Sequence, residues 1–253
     1  MFFDSHAHYD DSRFAEDRAE LLSSMQKNGV SNIVNIGSDL ESSISSVKLS
    51  EKYEFIYSAV GVHPHEAVHI TEDTISQIAE LSKNKKVVAI GEIGLDYYYD
   101  HSPRDIQRYW FKYQMDLAYD LGLPVVIHSR DAMEDTINIC RESKIHGGII
   151  HCYSGSAESA KIFLDLGYHI SFAGPVTFKN SKNLPLVAKM VPEDRLLIET
   201  DCPYMAPEPH RGKRNSSIYV RHVAEKIAEL RGVSVEHIAK VTSDNAKKLF
   251  GIV

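Results

Sequence analysis

Cysteine is scarce in this chain: 253 residues contain three, Cys140, Cys152 and Cys202, and no two form a CxxC pair. That excludes a disulfide framework and a cysteine-built zinc site, and it suits a reducing compartment. Long apolar runs are missing as well. No stretch reaches the roughly 18 uninterrupted apolar residues that a membrane span needs, and Asp4 interrupts the N-terminus before a signal-like segment develops. The chain therefore reads as cytoplasmic, with no membrane as a partner and no obligate protein partner evident. Positive charge is also in deficit, since 28 Lys and Arg against 35 Asp and Glu leave a net charge of -7. Proteins that coat nucleic acid through many phosphate contacts are usually basic, so a polyanionic substrate would have to be gripped locally. Repeats, low-complexity tracts and Pro/Gly/Ser-rich linkers are absent, and one domain over residues 1–253 is expected.

What is present is a rhythm of short β-branched runs, each followed by a loop and an amphipathic stretch. The candidate strands are FFDSHAH, SNIVNIGS, EFIYSAVGVHP, KVVAIGEIGLD, LPVVIHSR, GGIIHCYSG, YHISFAGP and RLLIETDCP. Between them lie segments with helical apolar spacing, such as SRFAEDRAELLSSMQKNG and SPRDIQRYWFKYQMDLAYDLG, which carry polar caps at their starts and often glycine at their ends. Eight alternating strand and helix units predict an α/β chain, a TIM-type (β/α)8 barrel, with an open doubly wound sheet as the structural alternative. Beyond the eighth strand come a basic loop, a helix from about Ser216 to Arg231, and a final helix in VSVEHIAKVTSDNAKKLFG, a C-terminal helical extension.

Polar residues recur where the apolar runs end, the place where a barrel of this type projects its catalytic side chains. The first run ends in Asp4, His6 and His8, the third in His63 and His65, the fourth in Glu92 and Asp96. The fifth ends in His128 and Arg130, the sixth in His151, the eighth in Glu199 and Asp201. A single histidine at a strand end is more often a hydrogen-bonded structural residue than a ligand; agreement among several strand ends reverses that balance. His6 and His8, two apart, point to one side of a strand. Closing the sheet would gather His6, His8, Glu92, His128, His151 and Asp201 at one mouth, where six ionisable groups need a partner. Four histidines and two carboxylates suit two divalent metal ions, zinc, manganese or magnesium, with Glu92 as the candidate bridge. Two such ions, about 3.5–4 Å apart, lower the pKa of a shared water and clamp the oxygens of an in-line displacement, so the implied chemistry is hydrolysis.

The motifs DSHAHYD, GVHPH, GEIGLDYY, VIHSRDA, IIHCYSG and ETDCPYMAP, followed by RGKRN, resemble in order and spacing those of the TatD family of metal-dependent deoxyribonucleases, from Phe2 to about Asn215. The resemblance implies a phosphodiesterase acting on DNA from the 3′ end, with single-stranded DNA or 3′ ends as substrate, in degradation or repair. It would place His6, His8, Glu92 and Asp201 around one metal and Glu92, His128 and His151 around the other, with Asp201 also taking the proton of the attacking water. His63 is expected to donate to a phosphoryl oxygen or protonate a leaving alkoxide, with a supporting hydrogen bond behind the ligands as the competing reading. Glu199 shares the face of Asp201 by period two and, by the resemblance, would hold substrate water or a further metal. Asp4 is expected to orient a ligand.

His65, Arg130, Arg211, Lys213 and Arg214 are candidate substrate contacts, the last three in HRGKRN just after the eighth strand, where barrels often bind phosphate. A salt bridge for Arg130 and a merely solvated loop for HRGKRN are the competing readings. Tyr97, Tyr98 and Tyr99 could stack on bases, although three successive residues cannot all face one site. Ser216-Ser217 stands where many relatives have Glu-Pro, so serine is expected to cap the following helix. The same metal chemistry would serve an esterase or amidase, including an aminoacyl-tRNA deacylase or a small-molecule hydrolase, because the fold does not choose the bond. A non-catalytic metal-binding scaffold is the third reading.

Overall fold

The eight apolar runs form eight strands in a computed structural model that describes residues 1–145 and 147–252. In chain order they are β1 (Phe2–Ala7), β2 (Val30–Ile36), β3 (Ile56–Val60), β4 (Val87–Asp96), β5 (Val125–Arg130), β6 (Gly148–Ile150), β7 (His169–Phe172) and β8 (Leu196–Ile198). Each lies parallel to the next in sequence, the order that right-handed strand–helix–strand crossovers produce. The ring closes between its first and last members: Ala7 bridges Cys202, the Asp201 amide donates to the His6 carbonyl at 2.9 Å, and the His8 amide donates to the Cys202 carbonyl at 2.8 Å. This is the TIM (β/α)8 barrel.

Helices α1 (Arg18–Ser23), α2 (Leu40–Lys52), α3 (Glu72–Leu81), α4 (Arg104–Leu121), α5 (Met133–Glu142), α6 (Ala157–Asp165), α7 (Leu184–Met190) and α8 (Val220–Arg231) surround the strands, and α9 (Val235–Phe250) follows. Local sequence sets their ends. Asp39 and Thr71 open α2 and α3 with reciprocal capping boxes, and Ser156 and Ser234 cap α6 and α9. Ser216 accepts from the Ile218 amide at the short helical turn that leads into α8, as the two serines lead one to expect.

Two expectations change. The segment SRFAEDRAELLSSMQKNG is not one helix but α1 flanked by single turns at Ser12–Phe14 and Gln26–Asn28. Its buried Phe14 turns in against Tyr9, with ring centroids 4.7 Å apart, which a straight continuation of α1 would not provide. The last strand runs only to Ile198, and ETDCP beyond it pairs through isolated contacts, chiefly those of Asp201 and Cys202 with the first strand.

The two ends of the barrel differ. Phe3, Val34, Val126 and Leu197 pack with Phe250 of α9, whose ring stacks on Phe3 at 6.2 Å. Each such buried side chain contributes about 1.5–3 kcal/mol, and together they plug the end where the strands begin. The polar residues collect at the other end.

Candidate metal centre

β4 is buried along its whole length, and Glu92 sits in its middle. Gly94 has φ +140°, and a Cβ there would fall 2.0 Å from the His128 carbonyl oxygen. Glycine thus lets β4 lie against β5 at the register where Gly94 pairs with His128. β6 and β8 are three residues long, so His151 follows its strand directly and Asp201 comes three residues after its own. Cys152 and Asp201 adopt φ of 40° and 56°, turning the chain sharply at the mouth; aspartate tolerates this region better than most residues.

These turns bring the six expected ligands together. Glu92 divides its two oxygens. Its Oε2 lies 3.3 Å from His6 Nε2 and 3.7 Å from His8 Nε2, while its Oε1 lies 2.8 Å from His151 Nε2 and 3.0 Å from His128 Nδ1. Asp201 Oδ1 stands 3.7 Å from His6 Nε2 and 3.5 Å from His8 Nε2. His6 and His8 face each other at 3.0 Å between Nε2 atoms, and the His6 and His151 rings stack at 4.0 Å.

Neighbouring groups fix which nitrogen is free in two of the rings. His8 Nδ1 donates to the Ile36 carbonyl at 2.9 Å, leaving its Nε2 lone pair directed at the cluster. His128 Nε2 donates to Asp96 Oδ2 at 3.0 Å, so its Nδ1 lone pair confronts a Glu92 oxygen. A lone pair and a carboxylate at that distance repel unless a proton or a metal cation lies between them. Burial works to raise the Glu92 pKa, yet His151, His63, His6 and a hydrogen bond with His128 outweigh it and hold the carboxyl well below its ordinary range. His151 shows the converse: burial lowers it, and Glu92 and Glu199 push it well above the usual imidazole value. The cluster therefore favours positive charge among its carboxylates. Imidazole nitrogen and carboxylate oxygen are ligand types for zinc, manganese and, less well, magnesium, and the donor set fits such ions. Among the described residues, His6–His8–Glu92 and His63–Glu92–His128 each bring three donor atoms within 4.8 Å of one another, as does His6–His151–Glu199.

The remaining expected site residues are placed differently. His63 is buried, and its Nε2 lies 3.5 Å from Glu92 Oε1, while its Nδ1 accepts from the His65 amide at 3.1 Å. His65 lines the cavity, but its Nε2 is engaged by Asp96 Oδ2 at 3.0 Å. Glu199 does not line the cavity. It is fully buried, accepts from the Cys152 amide at 2.6 Å, and stands 3.3 Å behind His151 Nδ1, because the backbone turn at Asp201 breaks the period-two alternation. Asp4 orients no ligand ring. Its carboxylate accepts from the Thr200 amide at 2.9 Å and the Thr200 hydroxyl at 2.5 Å, with a longer contact to the His6 amide at 3.4 Å; the β1–β2 register shifts just beyond it.

The basic loop also departs from expectation. Arg214 is drawn away by Asp17, with Nη1 2.8 Å from Oδ1, and Arg211 lies over the Phe178 ring at 4.3 Å. Neither they nor Lys213 line the cavity of about 640 Å³ above the cluster, so the phosphate clamp expected in HRGKRN is not assembled there. Arg130 does line it, without a salt bridge among the described residues. Of the three tyrosines, Tyr97 donates to Asp135 at 2.5 Å, away from the mouth, and Tyr99 reaches the cavity.

Asp96 has a larger part than its position at a strand end suggests. Its Oδ2 accepts from both His128 and His65, and its Oδ1 accepts from the Tyr98 and Tyr99 amides at 3.1 and 2.9 Å. Gln107 holds its backbone from below, donating to the Asp96 carbonyl and accepting from its amide. The spacing of Glu92, Gly94 and Asp96 in GEIGLD, one face of a strand, was the available signal.

A closed parallel barrel with histidine and carboxylate ligand types at the mouth defines a metal-dependent hydrolase. The chain belongs to the TatD family: the family model for TatD related DNase matches residues 3–251. It is 47% identical to the uncharacterized metal-dependent hydrolase YabD of Bacillus subtilis, over the full length of both chains. It is 34% identical to a protein of Rahnella named 3′-5′ ssDNA/RNA exonuclease TatD, over 95% of each chain. Among solved structures, the TatD homologue YJJV from Escherichia coli superposes with a TM-score of 0.94 at 29% identity, covering 100% of this chain and 98% of that one.

Proposed function

We propose that this protein is a phosphodiesterase that removes nucleotides from single-stranded DNA, and by the same chemistry RNA, from the 3′ end, with two divalent metal ions held by His6, His8, Glu92, His128, His151 and Asp201. The observation that carries the reading is the division of Glu92 between two pairs of histidines, one pair on each oxygen. The names of relatives such as the Rahnella protein supply the bond. Divalent ions bound there supply a nucleophilic water at neutral pH and Lewis acidity toward a phosphoryl oxygen.

The chain's own residues do the rest. Asp201 is the general base: although burial opposes it, the hydrogen bond with His8 and the charges of His6 and His151 keep it ionised and able to accept a proton. His63, with Nδ1 occupied, carries its proton on Nε2, which lies 3.5 Å from Glu92 Oε1 at the cavity wall. Burial drives its pKa well below the ordinary value against the pull of Glu92, which suits a fixed hydrogen-bond donor to a phosphoryl oxygen better than a proton donor to the leaving group. Asp96 and the Ile36 carbonyl hold the His128 and His8 rings in register.

The test is the manganese- or magnesium-loaded protein on 5′-labelled single-stranded DNA, with aminoacyl and simple acyl esters assayed alongside. A ladder shortening one nucleotide at a time, abolished by chelator and by the double replacement His128→Ala and His151→Ala, is the expected result. A kcat/KM on an acyl ester equal to or above that on DNA would overturn the assignment.

A further inference from the structure

Arg130 is the one lysine or arginine among the described residues that line the cavity. Its guanidinium is held rather than free: it lies 4.1 Å above the Tyr98 ring and 4.8 Å from the Tyr99 ring. It has no hydrogen-bonded or ion-paired carboxylate among the described residues, so its five donors are available to a ligand. Those tyrosines are fixed in turn, since both their amides donate to Asp96, whose other oxygen holds His128. Arg130 follows His128 by two on β5, and the grip is thereby set at a constant height beside the cluster. Away from the histidines, the wall carries acidic side chains. Asp10 and Glu66 line the same cavity with no salt-bridge partner among the described residues, and the basic side chains of 211–214 lie outside it.

We infer that Arg130 grips one phosphate, the neighbour of the one being cut, and that phosphates further along the strand gain nothing from this site. The substrate class is then the short oligonucleotide or the last few nucleotides of a strand, released after each cut rather than tracked. This rests on the phosphodiesterase reading above.

The test uses the metal-loaded protein and its Arg130→Gln variant on thymidine oligomers of two, three and twenty residues without terminal phosphates, at several salt concentrations. The trimer carries a second phosphate and the dimer does not. In the wild type, kcat/KM rises about tenfold from dimer to trimer, the worth of one good charged contact, and then stays level to the twentymer. Arg130→Gln loses about tenfold on the trimer, mostly through KM, and nothing on the dimer. It also flattens the slope of log kcat/KM against log salt on the trimer by about 0.7, the single-strand value for one phosphate. A gain of more than threefold between trimer and twentymer, an equal loss on dimer and trimer, or an unchanged salt slope would each overturn the inference. A circular dichroism spectrum and a Tm matching the wild type show that the variant is folded. Hydrolysis that climbs with length overturns this inference alone, whereas no cleavage at any length overturns the phosphodiesterase reading and this one with it.

Discussion

Replacing Asp96 by asparagine separates the organisation of the metal cluster from the stability of the fold. Four donors converge on the Asp96 carboxylate: two backbone amides on Oδ1 and two imidazole Nε2 atoms on Oδ2. Asparagine keeps an oxygen for the amides and puts an NH2 group where the histidines donate. The histidines have an escape that the amides lack, because each ring can move its proton to Nδ1 and accept from the NH2 group instead. For His128 that proton then points at Glu92 Oε1, 3.0 Å away, a good hydrogen bond in the metal-free protein and an obstruction to metal binding. The metal-free Asp96→Asn protein should therefore unfold within about 1 kcal/mol of the wild type, since no buried donor is left unpaired. Metal affinity should fall by about 10–100-fold, the usual consequence of losing a ligand's orienting partner, equivalent to about 1.4–2.7 kcal/mol. Calorimetric titration with zinc or manganese and urea unfolding of the metal-free proteins measure the two quantities. Wild-type affinity in the variant, or a loss of several kcal/mol without metal, would refute the tautomer argument.

Three other changes test separate parts of the structure. Removing metal with a chelator should lower the Tm, because a ligand held by the native state alone stabilises it by about 2.7 kcal/mol at 100 times its Kd; differential scanning calorimetry across a metal series measures this. Arg214→Ala, which breaks a half-exposed ion pair with Asp17, should leave kcat/KM on DNA within about twofold of the wild type, whereas a loss of tenfold or more would return the loop to the substrate path. Burial, reinforced by the charge of Glu199 and opposed by hydrogen bonds from Thr200, raises Asp4 from 3.8 to about 7. Its contribution to stability is then complete below pH 3.8 and lost as pH rises through about 7, a change on the order of 4 kcal/mol at most. Asp4→Asn should flatten that part of the pH profile in urea unfolding of the metal-free protein.

The barrel and the six cluster residues were legible in the sequence for one physical reason. A strand buried on both faces is an apolar run, so a histidine or carboxylate at its end stands out, and the order of such ends around a parallel barrel is the order in the chain. What was not legible depends on contacts that spacing does not encode. Asp17 lies 197 residues from Arg214, and nothing in HRGKRN reveals that this carboxylate claims it. Period two placed Glu199 on the face of Asp201, but the strand stops at Ile198 and Asp201 itself is left-handed, which leaves Glu199 behind His151 instead. Asp96 was visible as a strand end; its role was hidden because two of its four donors come from other strand ends.

That last arrangement couples two properties that are usually built separately. The same carboxylate sets the tautomer of His128 and anchors the tyrosine pair beneath Arg130, so on the proposed reading metal affinity and the grip on a neighbouring phosphate would both depend on a single residue of β4. A change at Tyr98 removes part of the platform and leaves His128 untouched, and it should therefore alter the dependence on substrate length at constant metal affinity. A change at Asp96 should move both. The distinction follows from which oxygen of the carboxylate each partner uses, Oδ1 for the tyrosine turn and Oδ2 for the ring. In an acidic protein this economy would have a physical basis: one arginine held at a fixed height beside the cluster would discriminate by position, where a wider basic surface would attract any polyanion.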